Sequence, residues 1–434
     1  MDDKSDKFSA TTAVSIVVAN MIGTGVFTSL GFQLLDIQSA PVILFLWVLG
    51  GVLAFCGALC YAELGAALPR SGGEYNYLTE IYHPSVGFVA GWISATVGFA
   101  APTALAAMTA GAYLQAVFPQ LSRTWVAAGL VVITALVHLS TRRRSARYQI
   151  VFTVLKIALI LGFIVAAWAW IEQVQPLRWL PVVSDLDLIT SGGVAVALIF
   201  VNYAYTGWNA ATYLAGEMAE PKRDLPRVLL LGTCFVALLY VMLHVTFLAV
   251  APMSAMAGQV EVGFIVAGFA FGDVGQQWVA AMLGVLLIST VSAMLLAGPR
   301  ALQVIGQDFA VLRRLSHENA HGIPQTAILV QAGLTLVMVL TATFESVLLF
   351  AGFVLALNTL LAVLGVWVLR RSRPQLPRPF RVPLYPLPLL IYMAITLWTL
   401  IYVALQEPWE VAFAGLLIVL GLLFYLLSRA RVRD

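Results

Sequence analysis

Two short stretches carry residue types that can do chemistry inside otherwise apolar runs: "ANMIGTG" at residues 19–25 and "VNYAYTG" at residues 201–207. Asn20, Thr24 and Gly25 of the first match Asn202, Thr206 and Gly207 of the second at a constant offset. Glycines at 23 and 25 each cost about 1 kcal/mol of helix propensity relative to alanine, so the first run is predicted to unwind from Gly23 through Thr24 to Gly25. A helix restarting there offers free amide hydrogens and the positive end of its dipole, which attract a carboxylate. The second run, if it travels the opposite way, ends its first half near Tyr203 to Thr206 with open carbonyls at the negative end, which suit an ammonium. Facing one another, the two ends describe a pocket for the backbone of an α-amino acid. The competing reading is close helix packing through small residues.

Lys156, in "YQIVFTVLKIALIL", is the one basic residue well inside an apolar run. Arg147 stands about nine residues earlier, roughly 13 Å at helical rise, which places the ammonium deeper than snorkelling easily reaches. An ammonium at that depth needs carbonyls and hydroxyls around it. No Asp or Glu falls at mid-depth: Glu63, Glu217 and Asp308 lie near one set of helix ends, Asp36 and Glu345 near the other. A cationic ligand would want a buried counter-ion, so a neutral one is expected. His138 and His244 also fall in apolar runs and are read as hydrogen-bonded packing, with a proton relay as the lesser alternative. Cys56, Cys60 and Cys234 read as small core residues. No metal or cofactor motif is present, and no His is clustered with Asp or Glu as an intramembrane enzyme would require. Gly298-Pro299-Arg300 predicts a helix break.

The elements that must position these groups follow from composition. Of 434 residues, 61% are hydrophobic and 10% charged, which excludes a water-soluble globular protein. The apolar runs reach about 20 residues without barrel alternation, so the chain reads as an all-α polytopic membrane protein of about twelve transmembrane helices. With the N-terminus inside, all 24 Lys and Arg fall on the cytoplasmic side except Arg123, Arg178 and the embedded Lys156. That asymmetry predicts cytoplasmic N- and C-termini. It also makes "TRRRSAR" and "RRSRPQLPRPFR" topology signals rather than nucleic-acid patches. The start of the chain lacks a signal-peptide layout, so the first helix is expected to remain. One transmembrane domain is expected, with halves at 9–171 and 191–370 and two additional helices within 383–428. Five spans separate the matched stretches, which inverts one half relative to the other. Interrupted helices at matching positions of inverted halves point to the central site of a transporter. The connections 172–190 and 253–275 are long enough for partial helices over an outer mouth.

These residues resemble the amino acid-polyamine-organocation transporters, and among them the bacterial relatives of the L-type amino acid transporter branch. "GTGVF" is similar to the family's helix 1 signature. "YAELGAALPRSGGEYNYLTEIY", Tyr61 to Tyr82, resembles the branch's helix 2 end and the following Ser-Gly-Gly-acidic-Tyr loop, and is the most specific match. "YAYTGWNAATYLAGEMAEPKRDLPR" resembles the helix 6 region, and "RRSRPQLPRPFRVPLYP" the loop after helix 10. The resemblance implies a five-plus-five inverted-repeat fold with helices 1 and 6 unwound, as in sodium-coupled neurotransmitter transporters. It implies carboxylate binding by the amides of Gly23, Thr24 and Gly25, and ammonium binding by the carbonyls of Met21, Ile22, Tyr203, Ala204 and Thr206. Tyr203 stands where the branch usually has a gating Phe and Thr206 where it has Gly; with Gly207 and Trp208 they would shape the side-chain pocket, and the added bulk favours a small or medium substrate. Lys156 matches a helix 5 lysine whose ammonium resembles a replacement for one sodium ion, bridging helix 1 to helix 8, where Thr290 and Ser292 are its expected partners.

The expected function is therefore sodium-independent secondary transport of neutral L-amino acids in the plasma (inner) membrane, by exchange or by proton symport. The alternatives are a permease for a polyamine, a cationic amino acid or a related amine, and a channel. Eukaryotic members pair with a glycoprotein through an external cysteine. The matching loop "AVFPQLSRTW" has none, so no disulfide-linked subunit is expected.

Overall fold

The computed structural model describes residues 9–140, 145–189, 191–318 and 323–430. Lys4, Lys7, Arg142, Arg143, Arg144, Arg431 and Arg433, all counted in the charge asymmetry, lie outside the described residues. Among those described there is no strand. The helices run α1 Ala10–Met21, α2 Gly25–Asp36, α3 Ala40–Ala67, α4 Glu74–Ile81, α5 Pro84–Ile93, α6 Ala100–Val117, α7 Arg123–Ser140, α8 Ser145–Trp170, α9 Ser184–Ile189 and α10 Gly192–Tyr205. They continue as α11 Pro221–Val250, α12 Met253–Met256, α13 Val262–Asp308, α14 Gln325–Thr341, α15 Phe344–Ser372, α16 Leu387–Gln406 and α17 Pro408–Ala430.

Nine stretches among the described residues are long and apolar enough to cross a membrane, counting α1 with α2 and α5 with α6 as single runs. The helices α7, α10 and α14 are apolar but shorter. Proline sets several starts: Pro41, Pro84, Pro221 and Pro388 sit in first turns, where the missing N–H has no partner to lose. A π-helical turn at Ser94–Gly98 joins α5 to α6. The core forms where α1 lies against α11 and α8, α3 against α11, and α13 against α6.

Two connections hold partial helices: α9 lies within 172–190, and α12 with the start of α13 within 253–275. The chain bends at Gly272, whose φ of 67° is open to glycine. Gly258 N–H donates to the Gly31 carbonyl at 2.8 Å, seating this connection on α2. The break predicted at Gly298-Pro299-Arg300 does not form; α13 runs through it to Asp308. Its glycine serves close approach instead, since a Cβ at 298 would run into the Gln331 side chain, which donates to the Met294 carbonyl at 3.0 Å.

Candidate functional site

Helix α1 stops at Met21 and α2 restarts at Gly25. Within the break, Gly23 N–H turns back to the Met21 carbonyl at 2.8 Å, and the same carbonyl accepts from the Tyr240 hydroxyl at 2.5 Å. The Gly23 amide and the Met21 carbonyl are thus already engaged within the chain. The amides of Thr24, Gly25 and Val26 have no carbonyl partner among the described residues, as the first turn of a helix requires. Val26 is a donor that the glycine pattern did not single out.

Helix α10 ends at Tyr205, and a 3-10 helix resumes at Ala210–Glu217. The Tyr203 carbonyl accepts from Thr206 N–H at 2.9 Å and from its hydroxyl at 2.6 Å, whereas the carbonyls of Ala204 and Thr206 take no donor among the described residues. Each matched glycine lies against the other broken helix. A Cβ on Gly25 would come within 2.7 Å of Ala204 Cα, and one on Gly207 within 2.7 Å of the Asn20 carbonyl carbon. Gly207 also has φ +100°, a conformation that an L side chain strains.

Both breaks line one cavity of about 280 Å³ that extends from Thr24, Gly25, Ala204 and Thr206 to Ser71 and Arg300. Tyr203, Gly207 and Trp208 share its wall, and Trp208 sits edge-on to Tyr61 with ring centroids 4.7 Å apart. Toward the opposite face the way is filled. Phe32 packs between Phe200 and Phe344, each with its centroid 5.7 Å away, and Ser29 donates to the Phe200 carbonyl at 3.3 Å.

Lys156 is buried beside the first break. Its Nζ donates to the Ile22 carbonyl at 3.3 Å and to Thr290 Oγ1 at 2.8 Å, so one ammonium ties α8 to the helix 1 break and to α13. The Ile22 carbonyl is therefore occupied by the lysine. Ser292 is not a partner of Lys156: two residues past Thr290 on a helix it faces elsewhere, and its hydroxyl lies 3.0 Å from His138 Nε2. His244 pairs its Nδ1 with the Tyr240 carbonyl at 2.8 Å and stacks on Trp47 with centroids 3.5 Å apart, a packed position.

The carboxylate that sequence reasoning passed over is Glu74. It belongs to the connection before α5, which folds back so that Glu74 is buried in the cavity wall. Oε1 accepts from Tyr61 at 2.9 Å and Asn209 Nδ2 at 2.5 Å, and Oε2 from the Tyr213 hydroxyl at 2.5 Å. The signal was present in "SGGEYNY", whose acidic position is part of the most specific motif match. Glu63, by contrast, is a structural anion: Arg370 grips it with two bonds at 2.8 and 2.6 Å, and Val382 N–H adds a third at 2.8 Å. Near the cavity's open end Tyr75 donates to Asp308 at 2.5 Å. Burial first, and Asp308 second, push the Tyr75 hydroxyl up, so it stays a donor at neutral pH.

Residues 8–424 match the family described as amino acid permease. The chain belongs to the amino acid permease family. Curated relatives of this permease include the mouse Asc-type amino acid transporter 1, 30% identical over 94% of this chain and 78% of the relative. The human b(0,+)-type amino acid transporter 1 is 27% identical over 96% and 86%. The mouse large neutral amino acids transporter small subunit 2 is 29% identical over 92% and 76%. Such membership makes the permease an integral membrane transporter of amino acids, not an enzyme.

Proposed function

We propose that this permease is a sodium-independent secondary transporter of neutral L-amino acids, working by alternating access in the plasma (inner) membrane with both termini cytoplasmic. Twelve spans in two inverted five-helix repeats, 9–171 and 191–370, followed by two further helices within 383–428, complete the reading. The observation that carries it is the pair of facing helix breaks on one cavity, amides of Thr24 and Gly25 on one side and carbonyls of Ala204 and Thr206 on the other. Amides at a helix start suit a carboxylate and carbonyls at a helix end suit an ammonium, which together define an α-amino acid. The close approach of each matched glycine to the other broken helix, Gly25 to Ala204 and Gly207 to Asn20, supports the inverted repeat. Sodium independence rests on the Lys156 ammonium standing between Ile22 and Thr290, where a bound cation would otherwise bridge the helices. A neutral substrate is favoured over a polyamine or cationic amino acid because Glu74, the one carboxylate in the described cavity wall, already accepts three hydrogen bonds.

The test is uptake of labelled neutral amino acids into liposomes holding the purified protein, preloaded or empty, with and without an inward proton gradient and with sodium or choline outside. Uptake only into preloaded liposomes identifies an exchanger. Gradient-driven accumulation in empty ones identifies a proton symporter, and a sodium requirement overturns the role given to Lys156.

A further inference from the structure

Helix α15 lays Leu355, Asn358 and Thr359 along the cavity wall, the spacing that puts three side chains on one helix face. Thr359 is already engaged: its hydroxyl donates to the Leu355 carbonyl at 3.0 Å and accepts from the Tyr392 hydroxyl at 2.7 Å. Asn358 differs. Only 3% of it is exposed, yet its carboxamide makes no hydrogen bond to any described residue. Asn358 lines the cavity, so its carboxamide hydrogen-bonds to whatever fills that space, water or ligand.

The polar groups at the helix breaks are main-chain amides and carbonyls, which read the carboxylate and ammonium common to every amino acid. They do not tell one side chain from another. Gly98, Phe99, Pro102 and Leu355 line the same cavity and offer no side-chain hydrogen bond. A carboxamide presents two donor hydrogens and an acceptor oxygen with no net charge, so its complement is a group that both donates and accepts: a hydroxyl or another carboxamide. We propose that Asn358 is the specificity-determining residue of this permease and selects amino acids with an uncharged polar side chain over hydrocarbon ones of the same size. The inference rests on the proposed amino acid site and adds the substrate class to it.

Threonine and valine are the discriminating pair, because they share shape and differ by one hydroxyl. In the liposome assay, unlabelled threonine is expected to compete at least about tenfold better than valine, the worth of one hydrogen bond in a dry site. In Asn358→Leu, close to isosteric, the threonine-to-valine ratio is expected to fall to about one. If that variant does not give a monodisperse protein, Asn358→Ala is read in the same way. A wild-type ratio near one overturns the inference before any variant is made, as does a tenfold ratio that persists in Asn358→Leu or Asn358→Ala. Absence of saturable uptake of either amino acid overturns the transport reading itself, a result distinct from uptake without discrimination.

Discussion

At the scale of single residues, the buried charges divide by what meets them. Lys156 meets a carbonyl and a hydroxyl but no carboxylate, an arrangement that holds an ammonium in place without neutralising it. Lys156→Ala is expected to lower uptake at least about tenfold, with no recovery when sodium is added, measured in the same liposomes. Wild-type uptake by the variant would remove the bridge from the mechanism. Glu63 and Arg370 are the opposite case, a bidentate pair with Arg370 also lying over the Tyr385 ring at 3.8 Å. Arg370→Ala removes both bonds and leaves Glu63 the Val382 amide and the longer Arg378 contact at 3.6 Å, so it should destabilise the protein by at most about 3 kcal/mol, visible as a fall in melting temperature in detergent. Lys156 was legible as an embedded cation because a lone lysine in an apolar run is conspicuous. Glu74 was legible only as the acidic position of a motif, since nothing in that polar stretch marks that it is buried in the cavity wall.

Among the elements, the two broken helices depend on each other. Gly25 and Gly207 each stand where the other helix's backbone comes too near for a side chain. Gly25→Ala is therefore expected to force α2 away from α10, abolishing measurable substrate binding and lowering the melting temperature. Ligand-induced thermal shift checks the first and the unliganded transition the second; a variant that binds normally would show the contact to be dispensable. The breaks were predictable because glycine pairs weaken helices locally. The course of α13 was not: Gly298 and Pro299 are helix breakers by propensity, yet packing against Gln331 carries the helix through, and tertiary contact overrides propensity.

Over the whole molecule, the cavity reaches the side of Ser71 and Arg300, while the Phe32 cluster fills the other side. A cysteine at Thr206 should react with a membrane-impermeant thiol reagent from the Arg300 side and be protected by substrate. Labelling from the opposite side alone would contradict the one-sided cavity. On that opposite face, buried Asp185 accepts from Val182 N–H at 2.8 Å, from Ser39 at 2.9 Å and from Arg178 at 2.9 and 3.0 Å. The Val182 amide first, with help from Ser39 and Arg178, holds its carboxyl below the usual range. A depressed carboxyl stabilises the fold above its unfolded pKa and loses that contribution as pH falls through its folded value. Asp185→Asn should thus lower the melting temperature at pH 7, and the gap from wild type should close as pH drops below about 4. A gap independent of pH would mean that the charge of Asp185 is not what ties α9 to α3.

Composition and local preference were enough for the all-helical membrane character, for a helix break near Gly23 and Thr24, one residue earlier than expected because Gly25 already begins α2, for its counterpart at Thr206 and Gly207, and for the embedded Lys156. These are properties of composition and of local backbone preference, which act over a few residues at a time. Which groups at those breaks remain free depends on long-range packing. Tyr240, from a helix more than two hundred residues away, occupies the Met21 carbonyl, Lys156 occupies that of Ile22, and the fold of the connection before α5 buries Glu74 among Tyr61, Asn209 and Tyr213. Local preference creates an open hydrogen-bonding group, and whether it stays open for a ligand depends on which distant side chain packing brings within about 3 Å.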